Sequence, residues 1–168
     1  MDESFRITST GTTIEQAFER CPEIFAEEAA RGVTEATMLA EREIKEETPS
    51  SGAGLLRESI GATPVTITPR AISARVVTSL SYAAPVEFGS KPHWAPIEPL
   101  LDWVTRKLGL RGDDADDAAQ AIRFKIAAHG TEGAHMFRKG LATVEQQILA
   151  IYEAAAQRAL DRLEQGAK

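Results

Sequence analysis

Apolar positions recur every three or four residues through the first third of the chain: Ile14, Ala17, Phe18, Cys21, Phe25, Ala29, Val33, Ala36, Ala40 and Ile44. That spacing is a helical stripe. Glu15, Glu19, Glu27, Glu28, Glu35, Glu41 and Glu43 fall between these positions, on the side predicted to face water. Thr12 or Thr13 can cap such a helix, because a hydroxyl accepts from a free first-turn N–H. Residues 1–12, polar and rich in Ser and Thr, read as a flexible arm. Pro22 has no N–H to give, so a kink or a fresh helix start falls there. Pro49 closes the helix, since the residue before a proline avoids helical geometry.

The pattern then changes. Thr48-Pro49-Ser50-Ser51-Gly52-Ala53-Gly54 is a breaker cluster and reads as a connecting loop. Neither an apolar strand before it nor a Gly-Lys-Ser/Thr after it makes a phosphate loop of it. From Ile60 to Thr68 and from Ala71 to Leu80 the chain is rich in β-branched residues. Val65 and Ile67 alternate with Thr66 and Thr68; Ile72, Ala74 and Val76 alternate with Ser73 and Arg75. Period two predicts an antiparallel hairpin with one buried and one wet face, turning at Pro69-Arg70. Pro64 suits a bulge or an edge. Residues 81–99 hold four prolines and read as a short helical turn at 83–88 followed by an extended loop.

The helical period returns with Leu100, Leu101, Trp103, Val104 and Leu108, and stops near Gly109. Asp113, Asp114, Asp116 and Asp117 open another helix, where they favour its positive end. That helix carries Ala118, Ala119, Ile122, Ile126 and Ala127 and ends at Gly130. After a loop at 131–135 comes a last long helix bearing Phe137, Leu141, Val144, Ile148, Ile151, Tyr152, Ala155, Ala159 and Leu163.

Composition narrows the function. The 168 residues suffice for one compact domain with a core of its own, without disulfide or metal staples. With 6% aromatic residues the chain is a poor base-stacking platform, and a net charge of −6 argues against coating phosphate backbones. No apolar run of membrane-spanning length occurs, and the N-terminus lacks the basic and apolar stretches of a secretory signal. The lone Cys21 cannot pair within the chain, which fits a reducing compartment, and its place on an apolar stripe makes it core rather than reactive. The charge is uneven. Residues 1–60 hold 13 acidic and 6 basic side chains, residues 61–112 hold 3 and 6, and residues 113–168 hold 9 and 7. The acidic first section and the mildly basic middle either meet between subunits or are a solvated helix face and nothing more.

Catalytic signals are weak. His129 and His135 flank a glycine loop without further Cys or His to complete a zinc site. The aspartate cluster lacks the glycine and distal glutamate of a calcium loop. No serine sits in a Gly-x-Ser-x-Gly elbow. No metal and no cofactor is expected. The segment Tyr82 to Pro99, with Tyr82, Phe88 and Trp94 in a proline-rich loop, is either a local mini-core or a contact surface. Tyr and Trp give large contact area at low entropic cost. If Phe88 belongs to a mini-core and Trp94 to a contact surface, Phe88→Ala lowers the melting temperature, whereas Trp94→Ala spares it and impairs assembly.

The order of motifs resembles the tail-completion, or head–tail joining, proteins of long-tailed bacteriophages. Pro49, Gly54, Leu56, Arg57, Ser59 and Ile60 match the first part of their pattern. Tyr82, Ala83, Val86, Glu87, Phe88 and Gly89 match the second. Ser90 stands where the family usually has Thr, and Ala84-Pro85 where an aromatic is common. The stretch Trp94 to His129 looks like that of the longer members.

The resemblance implies a single α+β domain over 1–168. In it a small antiparallel sheet packs with long N- and C-terminal helices, and residues 98–130 form a helical insertion. It also implies a virion protein of the neck, assembled in the host cytoplasm as a homo-oligomeric ring, a hexamer. The ring joins the tail tube to the head connector and lets DNA pass without gripping it. Head-closure and tail-tube or tail-terminator proteins would be its partners, and no membrane is involved. It implies no catalysis. The candidate interface residues are Tyr82, Glu87, Phe88, Gly89, Ser90, His93 and Trp94. A tail terminator is the alternative within the class, and a small cytosolic hydrolase the alternative outside it.

Overall fold

The computed structural model describes residues 22–49, 54–68 and 70–166. Among them run α1 (Pro22–Glu47), α2 (Leu55–Ser59), β1 (Gly61–Ala62), β2 (Thr66–Thr68), β3 (Ala71–Ser73) and β4 (Val76–Val77). Next come α3 (Ala83–Phe88), β5 (Gly89–Ser90), α4 (Ile97–Leu108), α5 (Asp113–His129), β6 (Thr131–Glu132) and α6 (Met136–Gly166). Long helices with small antiparallel ladders make this an α+β fold. The proposed start of the first helix at Ile14, its Thr12 or Thr13 cap, the arm at 1–12 and the core placement of Cys21 lie outside the described residues.

By contact the chain divides into two compact units. Residues 22–36, 64–74 and 146–166 form the first; residues 37–63 and 75–145 form the second.

In the first unit Phe25 and Ala159 are buried together, with Ile24, Leu160 and Leu163 packed on them. A Cβ on Gly32 would lie 2.9 Å from Ala155 Cβ, so the glycine permits this close approach of two helices. The same unit corrects one sequence expectation. Glu28, assigned to the wet face, is only 6% exposed. Its carboxylate accepts from Arg158 Nε at 2.9 Å and from Arg162 Nη1 at 2.8 Å; Arg162 Nη2 also reaches Glu27 at 3.0 Å. The cations arrive 130 and 134 residues later in the chain, so helical periodicity alone could not place Glu28.

The predicted hairpin forms, as two ladders out of step. Thr66, Ile67 and Thr68 pair with Ser73, Ile72 and Ala71, while Gly61 and Ala62 pair with Val77 and Val76. Beside β1 and β4, the Thr63 N–H donates to Arg75 O at 2.7 Å and its hydroxyl accepts from the Arg75 N–H at 2.9 Å. Pro64 belongs to neither ladder and is exposed. The buried face expected of β2 is absent: Ile67 is 57% exposed.

The second unit has two apolar clusters. Leu56, Ala83 and Met136 gather Leu80, Val86 and Phe137. Val104, Ala115 and Ala119 gather Ile97, Leu100, Leu101 and Trp103 between α4 and α5. Val104 is fully buried, worth about 1.5–3 kcal/mol. Gly109 closes α4 with φ +71°, the left-handed conformation that suits glycine. Leu108, expected on the apolar face of α4, is exposed. The loop expected at 131–135 instead begins with β6, which pairs Glu132 with Gly89 and Thr131 with Ser90.

Candidate interaction surface

The residues of the first motif build the frame of the second unit. Leu56 enters the cluster with Ala83 and Met136, and Ile60 is buried to 1% exposure. Arg57 Nη2 donates to the carbonyls of Glu46 and Thr48, satisfying acceptors at the negative end of α1. Ser59 Oγ donates to Leu56 O and meets Thr78 Oγ1 at 2.7 Å. Glu41, near the end of α1, accepts from Lys45 and from the Ala62 N–H at 2.9 Å. Both hold its carboxyl below the usual carboxylate range.

The second motif continues that frame and then leaves it. Ala83 and Val86 of α3 face the cluster, and Glu87 is buried. The Glu87 carboxylate accepts from the backbone N–H of Phe137 at 3.0 Å and of Arg138 at 3.4 Å. These are first-turn donors of α6, which have no partner within the helix, and the negative charge suits its N-terminus. The backbone beside Glu87 is closely crossed. His135 N–H donates to Glu87 O, and a Cβ on Gly133 would lie 2.3 Å from that oxygen. Gly89 has φ +82°, and a Cβ there would fall 2.3 Å from Thr131 O. Glycine is therefore required for β5 to pair with β6.

Of the seven candidate residues, Glu87 and Gly89 thus have architectural roles. Phe88 between them points out and is 68% exposed. Of the two alternatives for this segment, Phe88 is therefore no part of a mini-core: α3 turns inward with Ala83, Val86 and Glu87, which leaves the next side chain in water. Tyr82 and Trp94 are also exposed, Trp94 to 59%. Ser90 and His93 line an open cleft of about 790 Å³ with Pro49, Val86, Trp103 and Ile126.

Ser90 and His93 do not form a nucleophile–base pair. His93 Nδ1 lies 2.9 Å from Lys91 O, so it must carry the proton and donate. It then cannot accept from Ser90 Oγ, 3.5 Å away. Ser90 Oγ instead meets Thr131 Oγ1 at 2.9 Å. No cluster that could hold a metal occurs among the described residues, and no described helix is long and apolar enough to cross a membrane.

The motif residues thus divide into buried ones that build the frame and exposed aromatics at its edge. Residues 13–89 match the family HK97-gp10_like, described as "Bacteriophage HK97-gp10, putative tail-component". Over these residues the chain is similar to phage tail components, in keeping with the tail-completion resemblance. No curated protein and no solved structure matches the chain.

The HK97-gp10-like stretch runs through both motifs and ends at Gly89. Tyr82, Glu87, Phe88 and Gly89 lie within it; Ser90, His93, Trp94 and helices α4 to α6 lie beyond it. Sequence reasoning missed Phe124, which is 60% exposed and packs against Trp94. The signal available was its place among Gln120, Ala121 and Lys125, off the stripe of Ala119, Ile122 and Ile126.

Proposed function

We propose that this phage structural protein belongs to the neck, where copies of it form a ring, a hexamer, that joins the tail tube to the head connector. The observation that carries this reading is the match of residues 13–89 to a phage tail-component family. The exposed pair of Trp94 and Phe124, in edge-to-face contact, supports it, because large aromatics packed together on a surface mark contact sites. The net charge of −6 suits a passage that DNA slides through without sticking. The partners on this reading are the head-closure protein on one side and the tail-tube protein on the other.

Capture experiments with each neck component test it. Tagged chain should retain the head-closure protein and assemble with it into rings visible by native mass spectrometry. Retention of the tail-tube protein alone, with rings that stop tube growth, would assign the chain to tail termination instead. Retention of neither would contradict the neck reading.

A further inference from the structure

Two surface patches take no part in the frame, and their chemistry is opposite. The first lies in the second unit. Trp94 and Phe124 meet edge to face with ring centroids 5.3 Å apart, and the Arg123 guanidinium lies 5.0 Å above the indole. Both rings are mostly exposed. Arg123 Nε is buried and makes no hydrogen bond, so stacking on the ring is what orients this cation. Lys125 next to Phe124, and Lys91 and His93 just before Trp94, are exposed as well. Pro92 and Pro96 bracket the loop, which limits the entropy lost when it docks. The patch is a preorganised aromatic pair among cations, and Trp and Arg are the residues most often found to dominate binding energy.

The second patch lies in the first unit, on α6. Gln146, Leu149, Ala150, Glu153, Ala154 and Gln157 are all exposed. Their spacing of three and four puts them on one helical face, away from buried Ile148, Ala155 and Ala159. Leu149, 45% exposed, is its apolar centre, and Glu153 one turn on is its charge. The face carries no cation, and its alanines let another surface approach closely.

We propose that the Leu149–Glu153 face of one copy docks on the Trp94–Phe124 pair of the next copy, with Glu153 meeting Arg123. A second copy is the occupant because each chain carries both halves of a complementary pair, acidic–aliphatic and aromatic–basic. A two-fold contact of the aromatic patch with itself would set Arg123 against Arg123. Joining two different patches is head-to-tail, and repetition of such a contact closes a ring when its rotation allows. The proposal rests on the ring reading above and names the surfaces that would build the ring.

The test is a charge exchange read by native mass spectrometry at fixed protein concentration, with the neck partner present if wild type needs it. Arg123→Glu and Glu153→Arg should each lower ring yield about tenfold or more, and the double variant should restore it. Leu149→Lys should act like the single variants. Melting curves matching wild type exclude misfolding; if Arg123→Glu does not fold, Glu153→Arg and Leu149→Lys, both at exposed helix positions, carry the test. Rings that persist in the single variants, or a double variant that fails to recover, would overturn the pairing and leave the ring reading intact. So would a loss of DNA retention in Arg123→Glu with rings unchanged, which would assign the patch to nucleic acid. A wild type that forms no ring under any of these conditions would overturn the ring reading itself.

Discussion

Glu28 in the first unit is a carboxylate placed inside; Phe88 and Trp94 in the second are large aromatics placed outside. Each reverses the usual sorting, for a different reason. Glu28 is tolerated in a buried position because two guanidinium groups satisfy it, and the arrangement serves stability only while both partners are present. Phe88 and Trp94 are mostly exposed, and on the proposed reading another surface covers them. Patterning sorts these residue classes by hydropathy alone. Here they divide into side chains that hold the fold and side chains left in water, which the proposed ring would cover.

Four substitutions would break or sharpen that contrast, the largest first. Glu28→Ala leaves Arg158 without its anion and Arg162 with Glu27 alone, and should cost about 2–4 kcal/mol, read as a lower melting temperature by circular dichroism. Both arginines are partly solvated, which keeps the loss at the lower end of what a buried pair shows. Glu87→Ala removes two charge-assisted bonds at the start of α6 and should cost about 1–3 kcal/mol. Trp94→Ala, which also loses its contacts with Phe124 and Arg123, should change stability by about 1 kcal/mol and Phe88→Ala by about 0.5 kcal/mol or less, while both lower capture of the neck partner or ring yield. A fall in melting temperature for Phe88→Ala as large as that for Glu28→Ala would return Phe88 to the core and end the comparison.

The pH dependence sharpens it further. Hydrogen bonds from Arg158 and then Arg162 hold the Glu28 carboxyl below its ordinary value of 4.5, against the opposing effect of burial. A carboxyl whose folded value is depressed stabilises the fold above its unfolded value, and that stabilisation disappears as pH falls through the folded one. The melting-temperature gap between wild type and Glu28→Gln should be constant near neutrality and close progressively below about pH 4.5. A gap that persists unchanged into strong acid would mean that the charge of Glu28 is not what the arginines hold.

Local pattern carried most of the helices. The stripe from Phe25 to Ile44, the proline stop at Pro49, the aspartates opening α5 and the glycines at 109 and 130 are features of neighbours in sequence, and the chain folds accordingly. The absence of Pro64 from either ladder was legible for the same reason, because a proline cannot donate to a ladder. What escaped depended on distant partners. The burial of Glu28 needs Arg158 and Arg162, the pairing of β5 with β6 needs Gly89 and Thr131 brought together, and the role of Glu87 needs the first turn of α6, some 50 residues on. The candidate surface was found as a segment, because aromatics among prolines stand out. Its division into Glu87 and Gly89 inside and Phe88 and Trp94 outside was not, since adjacent residues on a short helix differ only in the direction they face.

The most direct measurement is a cryo-electron microscopy reconstruction of the neck of virions that contain this chain. The chain should stand in a ring between the head connector and the tail tube, with Phe88 and Trp94 covered by a neighbouring subunit. A neck without it, or a ring in which both aromatics face open solvent, would contradict that reading.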